Sequence, residues 1–429
     1  MVKIATLLMR SLARVGKAQR RTANKLVSHL LGQGAVKARS APKSRPASKV
    51  APKMLAKSAL KSVPAVAAKT ALKSALTVKA ALKAQAKPKP AARTRASSAA
   101  LPGKWLAAHY SALPQLGALP GRRISYWLYL PHKVAVPATG QQRGLPLIVM
   151  LHGCGQSATQ FAQGTRMNRL AEQQGYAVLY PQQSLTSHVH RCWKWYDKAT
   201  QQGGGDVAMI VGIILQVAHK HGIDRSRIYI AGVSAGAGMA DIIALNHPEL
   251  IAAVGLHSGP VFGGGHSAIG ALNLMQHGDR AHSEDAIADL LRRKPAFPQM
   301  PKILIQGMRD KVVDPINQRQ LLQQGLLLNR MDSAMQAPTR QTPATATGSR
   351  KPAHEYATSD YYGEKVGAER GGLDKLADQT LLLRVAQIEQ LDHAWSGGDA
   401  SLPFNAKSGP DASKMMLDFF ALHRRLQVG

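Results

Sequence analysis

Short apolar runs recur along the chain from about residue 124 and alternate with segments that have helical spacing. The runs LPLIVML (145–151), YAVLYP (176–181) and KILIQG (302–307) are almost continuously apolar, as expected of parallel strands buried on both faces. Segments 159–175 and 206–222 carry apolar residues at helical spacing. This alternation predicts an α/β fold with a mostly parallel central sheet and helices on both faces.

The same pattern assigns the remaining elements. Further strands are predicted over 124–131, 227–234, 251–259 and 381–391, and helices over 235–248 and 409–426. Asp206 follows three glycines and is expected to cap the helix after it. The stretch 331–372 opens with a polar, Pro- and Thr-rich run and is predicted to be a loop insertion.

Residues 1–104 have a different composition. The first 100 residues hold 23 Lys and Arg and no Asp or Glu, and the first acidic residue of the chain is Glu172. This Ala-, Lys- and Pro-rich segment has too few large apolar groups to offset the entropy of ordering, so we expect a mostly disordered basic arm before a catalytic domain over 105–429. Such an arm either stays solvated or binds an anionic surface: a granule, nucleic acid or a membrane.

Targeting signals leave the compartment open. Residues 4–9 are too short an apolar run for a standard secretory signal, and no run of 18 apolar residues predicts a membrane span. The two cysteines, Cys154 and Cys192, are consistent with free thiols or with one disulfide.

Chemically informative residues follow three of the predicted strands. Ser234 lies in G-x-S-x-G directly after a strand, Asp310 follows KILIQG, and His393 follows the last strand. The chain order Ser, Asp, His is that of the α/β-hydrolases, in which the serine sits on a sharp strand-to-helix turn. We therefore predict Ser234, Asp310 and His393 as a catalytic triad, with Asp314 as the alternative acid.

This chemistry requires further groups. The oxyanion that develops during acyl transfer needs preorganised N–H donors, for which we predict the backbones of Ala235 and Cys154. His152 and His257 also follow strands, but both precede the expected acid and are interpreted as structural.

A dinucleotide-binding turn is the competing interpretation of the same glycines. Gly232, Gly236 and Gly238 form G-x-x-x-G-x-G, and Tyr361 and Lys365 form Y-x-x-x-K. However, such a turn belongs after the first strand of its domain, and here at least three predicted strands precede it. The serine-nucleophile interpretation is preferred.

The chain resembles the polyhydroxybutyrate depolymerase family of esterases over about 120–425, in LIVMLHGCGQ, CWKWYD, RIYIAGVSAGAGMA, GMRDKVVDPIN and DHAWSGG. The resemblance implies the same triad, an oxyanion contribution from the Cys154 loop and a Cys154–Cys192 disulfide. Gln306 stands where family members often carry His. Trp193 and Trp195 are either core aromatics or an apolar wall for an acyl chain.

We thus expect a serine ester hydrolase that cleaves short-chain polyhydroxyalkanoate polymer or oligomers and needs no cofactor and no metal. Related sequences include feruloyl and acetylxylan esterases, so a carboxylesterase of that type is the alternative. A protein that binds a polyanion or granule, with the hydrolase fold secondary, is a third hypothesis. The resemblance and the cysteine pair favour an extracellular location, whereas the missing signal and the basic arm favour the cytoplasm or a polyester granule.

Overall fold

The computed structural model describes residues 101–112, 122–132, 144–279, 283–331, 336–339, 354–364 and 379–425. The predicted disorder of the basic arm concerns residues that lie almost entirely outside these ranges. The strands of the described residues are β1 (Lys104–Ser111), β2 (Arg123–Leu130), β3 (Leu145–Leu151), β4 (Ala177–Gln182), β5 (Ile223–Val233), β6 (Ala253–His257), β7 (Lys302–Gly307), β8 (Gln336–Thr339), β9 (Tyr356–Glu364), β10 (Gln379–Ile388), β11 (Trp395–Ser396) and β12 (Asn405–Ala406).

The first ten of these strands form one sheet in the order β1-β2-β4-β3-β5-β6-β7-β10-β9-β8. From β4 to β10 every neighbouring pair is parallel, whereas the two strands at each end of the sheet pair antiparallel. β11 and β12 form a separate parallel pair. The predicted mostly parallel sheet is therefore present, and β5, β6, β7 and β10 end at one edge.

Helices connect these strands. They are, within the described residues, α1 (Ala158–Thr165), α2 (Met167–Gln174), α3 (Lys198–Gln201), α4 (Asp206–Lys220), α5 (Ala235–Asn246), α6 (Ala268–His277), α7 (Asp285–Arg293), α8 (Ile316–Leu328) and α9 (Ala412–Phe420). Among these helices, none is long and apolar enough to span a membrane.

Two buried clusters occupy the two faces of the sheet. One contains apolar side chains of α4, α5 and α8, and the other contains those of α1, α2 and α9. β3 contributes to both clusters because its side chains alternate between the faces, with Leu147, Val149 and Leu151 in the first and Ile148 and Met150 in the second. Burial on both faces explains why the central strands are continuously apolar in the sequence.

A buried ion pair ties the sheet to α5. Lys302 at the start of β7 is fully buried, and its Nζ lies 2.5 Å from Asp241 Oδ1 on α5. The other carboxylate oxygen, Asp241 Oδ2, is buried and has no hydrogen-bond partner within the described part of the chain. Loss of either Lys302 or Asp241 would leave the other charge buried without a partner. Because such a charge is costly, the fold requires the two residues together.

The structure departs from the sequence-based prediction at several elements. The helix predicted over 159–175 is two helices, because Arg166 adopts a left-handed conformation with φ of 56° between them. Within 331–372, predicted to be a loop, the chain forms β8 and β9. The predicted cap, Asp206, is instead the first residue of α4, and Gly205 is the N-cap. The Asp206 carboxylate does not cap the helix; it pairs with Arg122 and accepts a hydrogen bond from Gln183 Nε2 at 2.6 Å.

Candidate active site

Ser234 occupies a sharp turn between β5, which ends at Val233, and α5, which begins at Ala235. Its backbone has φ 56° and ψ −124°, a conformation that residues other than glycine rarely adopt. The Ser234 N–H donates to the carbonyl oxygen of His257 at the end of β6, at 3.0 Å. The turn thus holds Ser234 at the carboxyl edge of the parallel strands.

The flanking glycines allow this turn to form. A Cβ on Gly232 would overlap the backbone of Gly236, and a Cβ on Gly236 would overlap the carbonyl oxygen of Leu151 at the end of β3. Gly238 packs one turn later against Pro260 and Trp195. The glycine pattern is accounted for by close packing between helix and sheet.

Asp310 and His393 are directly hydrogen-bonded. His393 Nδ1 lies 2.7 Å from Asp310 Oδ2, and the Asp310 side chain is fully buried. The other oxygen, Asp310 Oδ1, accepts hydrogen bonds from the backbone N–H groups of Val312 and Val313, both at 2.9 Å. The carboxylate is therefore fixed from both sides, and it fixes the ring of His393.

Asp314, the alternative acid, has a different role. Its Oδ1 accepts a hydrogen bond from the Ile316 N–H at 2.9 Å, at the first residue of α8. The first N–H groups of a helix have no partner inside the helix, so Asp314 satisfies one of them. The contact with His393 is made by Asp310.

Gln306 is a site residue to which the sequence analysis gave no role. Its Nε2 lies 3.2 Å from Asp310 Oδ2 and 3.0 Å from the Val313 carbonyl oxygen. The side chain is buried at the end of β7, four residues before Asp310. The sequence signal that could have indicated this role is a polar residue at the end of an otherwise apolar strand.

A disulfide joins Cys154 to Cys192, as the family resemblance implies. It links the loop after β3 to the loop before α3, and the Gly155 N–H also donates to the His190 carbonyl oxygen at 2.7 Å. In the part of the chain that the structure describes, the backbone N–H groups of Cys154 and Ala235 have no hydrogen-bond acceptor. They are available as donors at this edge of the sheet.

His152 and His257 are fully buried next to the site. Burial lowers the pKa of His152 to about 4 and that of His257 to about 3. His152 Nε2 accepts a hydrogen bond from the Gln183 N–H at 3.1 Å, and His257 Nε2 accepts one from the Ser396 N–H at 3.3 Å. Both rings are neutral acceptors that support loops, in agreement with their structural interpretation.

His257 also connects Ser234 to the acid and base candidates. Its carbonyl oxygen accepts the Ser234 N–H, and after burial, His393 and Asp310 are the next contributions to the pKa of its ring. The two side chains therefore lie within electrostatic range of the residue that holds Ser234. Among the described residues, the structure joins His393 to Asp310 and Ser234 to His257, and it shows no hydrogen bond between Ser234 Oγ and His393.

The two tryptophans belong to the protein core. Trp193 is fully buried, and its Nε1 donates to the His152 carbonyl oxygen at 3.0 Å. Trp195 is 4% exposed and packs against Tyr196 and the Gly238 position. The interpretation as an apolar wall is not supported for Trp193, because a side chain without exposed surface has none to offer a ligand. Within the described ranges, no group of three or more His, Cys, Asp or Glu could hold a metal ion.

Comparisons with known proteins agree with this architecture. Residues 124–346 match the family model described as esterase PHB depolymerase. Feruloyl esterase B of Thermothelomyces thermophilus is 32% identical over 167 residues, which are 38% of this chain and 54% of that protein. Poly(3-hydroxyalkanoate) depolymerase C of Paucimonas lemoignei is 29% identical over 191 residues, which are 43% of this chain and 45% of that protein.

A solved structure supports the fold. The acetyl xylan esterase from Aspergillus awamori superposes with a TM-score of 0.50 and 19% identity, over 70% of this chain and 94% of that one. This likeness confirms the α/β-hydrolase fold. The chain spans about half of the length of the two sequence relatives. Because the family model covers more than half of the chain, the chain belongs to the esterase PHB depolymerase family.

Proposed function

We propose that the protein is a serine ester hydrolase in which Ser234 is the nucleophile, His393 the base and Asp310 the residue that orients the base. The observation that carries the proposal is the 2.7 Å contact between His393 Nδ1 and Asp310 Oδ2, at the sheet edge that also holds Ser234 on its strained turn. With Nδ1 bound to a carboxylate, the imidazole presents its Nε2 as the proton acceptor.

The reaction follows from these roles. Ser234 Oγ attacks the ester carbonyl carbon while its proton moves to His393 Nε2. The carbonyl oxygen becomes an oxyanion, which the N–H groups of Ala235 and Cys154 stabilise. Collapse of the tetrahedral intermediate breaks the ester C–O bond, and the departing alcohol takes the proton from His393 Nε2.

Water then completes the cycle. His393 Nε2 accepts a proton from water as the water oxygen attacks the acyl-enzyme carbonyl. Ser234 Oγ leaves and recovers the proton, which releases the carboxylic acid. Asp310 keeps its charge throughout and stabilises the imidazolium that forms twice in the cycle.

We infer that the substrate is a short-chain polyhydroxyalkanoate, such as polyhydroxybutyrate polymer or its oligomers. Membership of the family and the similarity to a poly(3-hydroxyalkanoate) depolymerase support this substrate. A carboxylesterase of feruloyl or acetylxylan type is the second candidate, and the 32% identity to a feruloyl esterase favours it.

Two measurements test the proposal. A fluorophosphonate probe should label the protein, and the label should be lost in Ser234→Ala; absence of labelling would overturn the serine mechanism. Initial rates on 3-hydroxybutyrate oligomers, a feruloyl ester and acetylated xylan then separate the two substrate classes, since the preferred ester should be cleaved with the highest kcat/KM.

We further propose that the N-terminal basic arm binds an anionic surface. The proposal rests on its 23 Lys and Arg among 100 residues without one Asp or Glu. Lys-rich chains gain free energy by releasing counterions from any polyanion, so binding should weaken steeply with salt. Binding of the full chain and of a chain lacking residues 1–100 to polyester granules, DNA and anionic vesicles tests this. Equal binding of both chains would refute it.

A further inference from the structure

A cleft of about 510 Å³ opens beside β1, β2 and β4. Three of its lining residues, His109, Ser125 and Gln182, are cross-strand partners in these adjacent strands. His109 Nδ1 and Ser125 Oγ are 3.0 Å apart. The cleft therefore has a floor built on the sheet itself.

This floor lies at the same edge of the sheet as Ser234. Gln182 is the last residue of β4, and its Nε2 is 3.3 Å from Nε2 of His152, which directly follows β3. Leu151, the end of β3, pairs with Gly232 of β5. Since neighbouring strands are about 4.8 Å apart, β4, β2 and β1 lie about 10, 14 and 19 Å from β5.

The charge of the cleft is positive and uncompensated. Arg123 and Arg191 line it, and none of its nine lining residues is Asp or Glu. Within the described residues neither arginine forms an ion pair, whereas the adjacent Arg122 pairs with Asp206. Three of the other lining residues, Ser125, Ser184 and Thr186, carry hydroxyl groups, whereas the amides of Gln182 and Gln183 donate within the protein.

We propose that this cleft binds a carboxylate that the ester substrate carries away from its scissile bond. Arginine guanidinium groups match the planar geometry of a carboxylate and bind it in bidentate fashion. This inference rests on the proposed function, because it places the ester at Ser234. The separation of about 10 to 19 Å excludes a simple acetyl or butyryl ester and requires a substrate of several units.

The cleft is also connected to the candidate oxyanion loop. Arg191 directly precedes Cys192, whose disulfide partner is Cys154. His190 accepts the Gly155 N–H, so the same short segment that carries Arg191 supports the loop after β3. Binding of the carboxylate in the cleft therefore fixes the orientation of the ester carbonyl. A substrate held in the correct orientation reacts faster.

Two pairs of substrates test the proposal and identify the source of the carboxylate. The first pair is the 3-hydroxybutyrate trimer acid and its methyl ester; the second is acetylated xylo-oligosaccharide with and without a glucuronic acid branch. In at least one pair the wild type should prefer the acid. The Arg123→Gln/Arg191→Gln variant should lower that kcat/KM ratio about tenfold, and Arg292→Gln, on α7 with 77% of its side chain exposed, should leave it unchanged.

A binding measurement makes the test independent of turnover. The trimer acid and the glucuronic acid-bearing oligosaccharide are titrated into Ser234→Ala, which cannot turn them over. For one of them the Kd should rise about tenfold in Ser234→Ala/Arg123→Gln/Arg191→Gln, and it should also rise with salt. Equal kcat/KM and equal Kd for acid and neutral forms would overturn the cleft proposal, even in an active enzyme. Absence of Ser234 labelling would instead overturn the proposed function, and the Kd values would still decide the cleft.

Discussion

The side-chain amide of Gln306 donates a hydrogen bond to Asp310 Oδ2 at 3.2 Å. This is the oxygen that also contacts His393 Nδ1. The Gln306 amide is held in turn by the Val313 carbonyl oxygen, so it joins the end of β7 to the turn that carries Asp310. Gln306 is therefore a positioning residue for the candidate acid.

Removal of this amide should slow the reaction without weakening substrate binding. Gln306→Ala is expected to lower kcat about tenfold or more, because it removes a hydrogen bond to a charged carboxylate, with KM unchanged. Gln306→His, which keeps an N–H donor, should recover part of the loss. Steady-state kinetics on a p-nitrophenyl ester measure both. Gln299→Ala is the control, because the Gln299 amide donates to the exposed backbone carbonyl of Glu364. If both variants lose the same factor in kcat, the positioning role of Gln306 is contradicted.

The two aspartates near β7 should respond differently to substitution. Asp310→Asn is expected to lower kcat about 10⁴-fold, because an amide favours the wrong tautomer of the base. Asp314→Ala should leave kcat nearly unchanged and lower the free energy of unfolding by about 1 kcal/mol, since it removes one partner of the N-terminus of α8. Rates and urea unfolding of both variants check this, and a larger rate loss in Asp314→Ala would identify it as the acid.

The disulfide should contribute to both stability and rate. Its cysteines are 38 residues apart, and closure of a loop of that length lowers the entropy of the unfolded chain by an amount worth about 4 kcal/mol. Cys154→Ser/Cys192→Ser is expected to unfold at lower urea concentration and to have a lower kcat, because the candidate oxyanion loop loses its link. Dithiothreitol should reproduce both effects in the wild type and change nothing in the variant. An unchanged kcat in both would show that the loop is held without the bond.

Buried histidines should make the fold sensitive to acid. Burial lowers the pKa of His423 to about 4, as it lowers those of His152 and His257. In the unfolded chain these rings take up protons near pH 6.5, whereas in the folded protein they do so only near pH 3 to 4. The unfolded state thus binds more protons in this window, and stability falls as the pH drops from about 6.5 towards 4.

His423→Phe isolates one of these contributions away from the candidate site. His423 packs on Phe419 at a ring separation of 4.5 Å, and its Nε2 is buried without a hydrogen bond among the described residues. The loss of unfolding free energy between pH 7.5 and pH 5.0 should shrink by about 2 kcal/mol in this variant. His277→Gln, at an exposed ring, is the control and should leave the loss unchanged.

The buried pair of Lys302 and Asp241 should show strong coupling. Lys302→Met alone is expected to cost about 3 to 5 kcal/mol of stability, since it leaves a buried carboxylate unpaired. Lys302→Met/Asp241→Leu should recover most of that loss because no charge remains. A double-mutant cycle by urea unfolding measures the coupling, and additive losses would show that the two charges act independently.

The sequence predicted the parts of the molecule that depend on local pattern. The buried strands were recognisable because both of their faces are apolar, and the triad candidates were recognisable because Ser234, Asp310 and His393 each follow a strand. β1 was missed because, as an edge strand, it is mostly exposed and carries no buried alternation. β9 was missed because its stability is non-local: Asp360 pairs with Arg384 on β10.

Other features depend on contacts between distant segments. Trp193 is buried in the core, and its Nε1 donates to the His152 carbonyl oxygen, 41 residues away in sequence. Asp206 looked like a cap, but its carboxylate is taken by Arg122, 84 residues earlier. The cleft lined by Arg123 and Arg191 likewise exists only once β1, β2 and β4 are aligned. No local pattern encodes such partners.

The close approach of Gly236 to the end of β3 links the surroundings of two candidate site residues. Gly236 lies in the first turn of the helix that begins after Ser234, and it touches the backbone of Leu151 and His152, from which the Cys154 loop departs. The candidate nucleophile Ser234 and the candidate donor Cys154 are therefore both held near Gly236. A side chain at position 236 would push against the end of β3 and would therefore disturb the surroundings of both candidate groups at once.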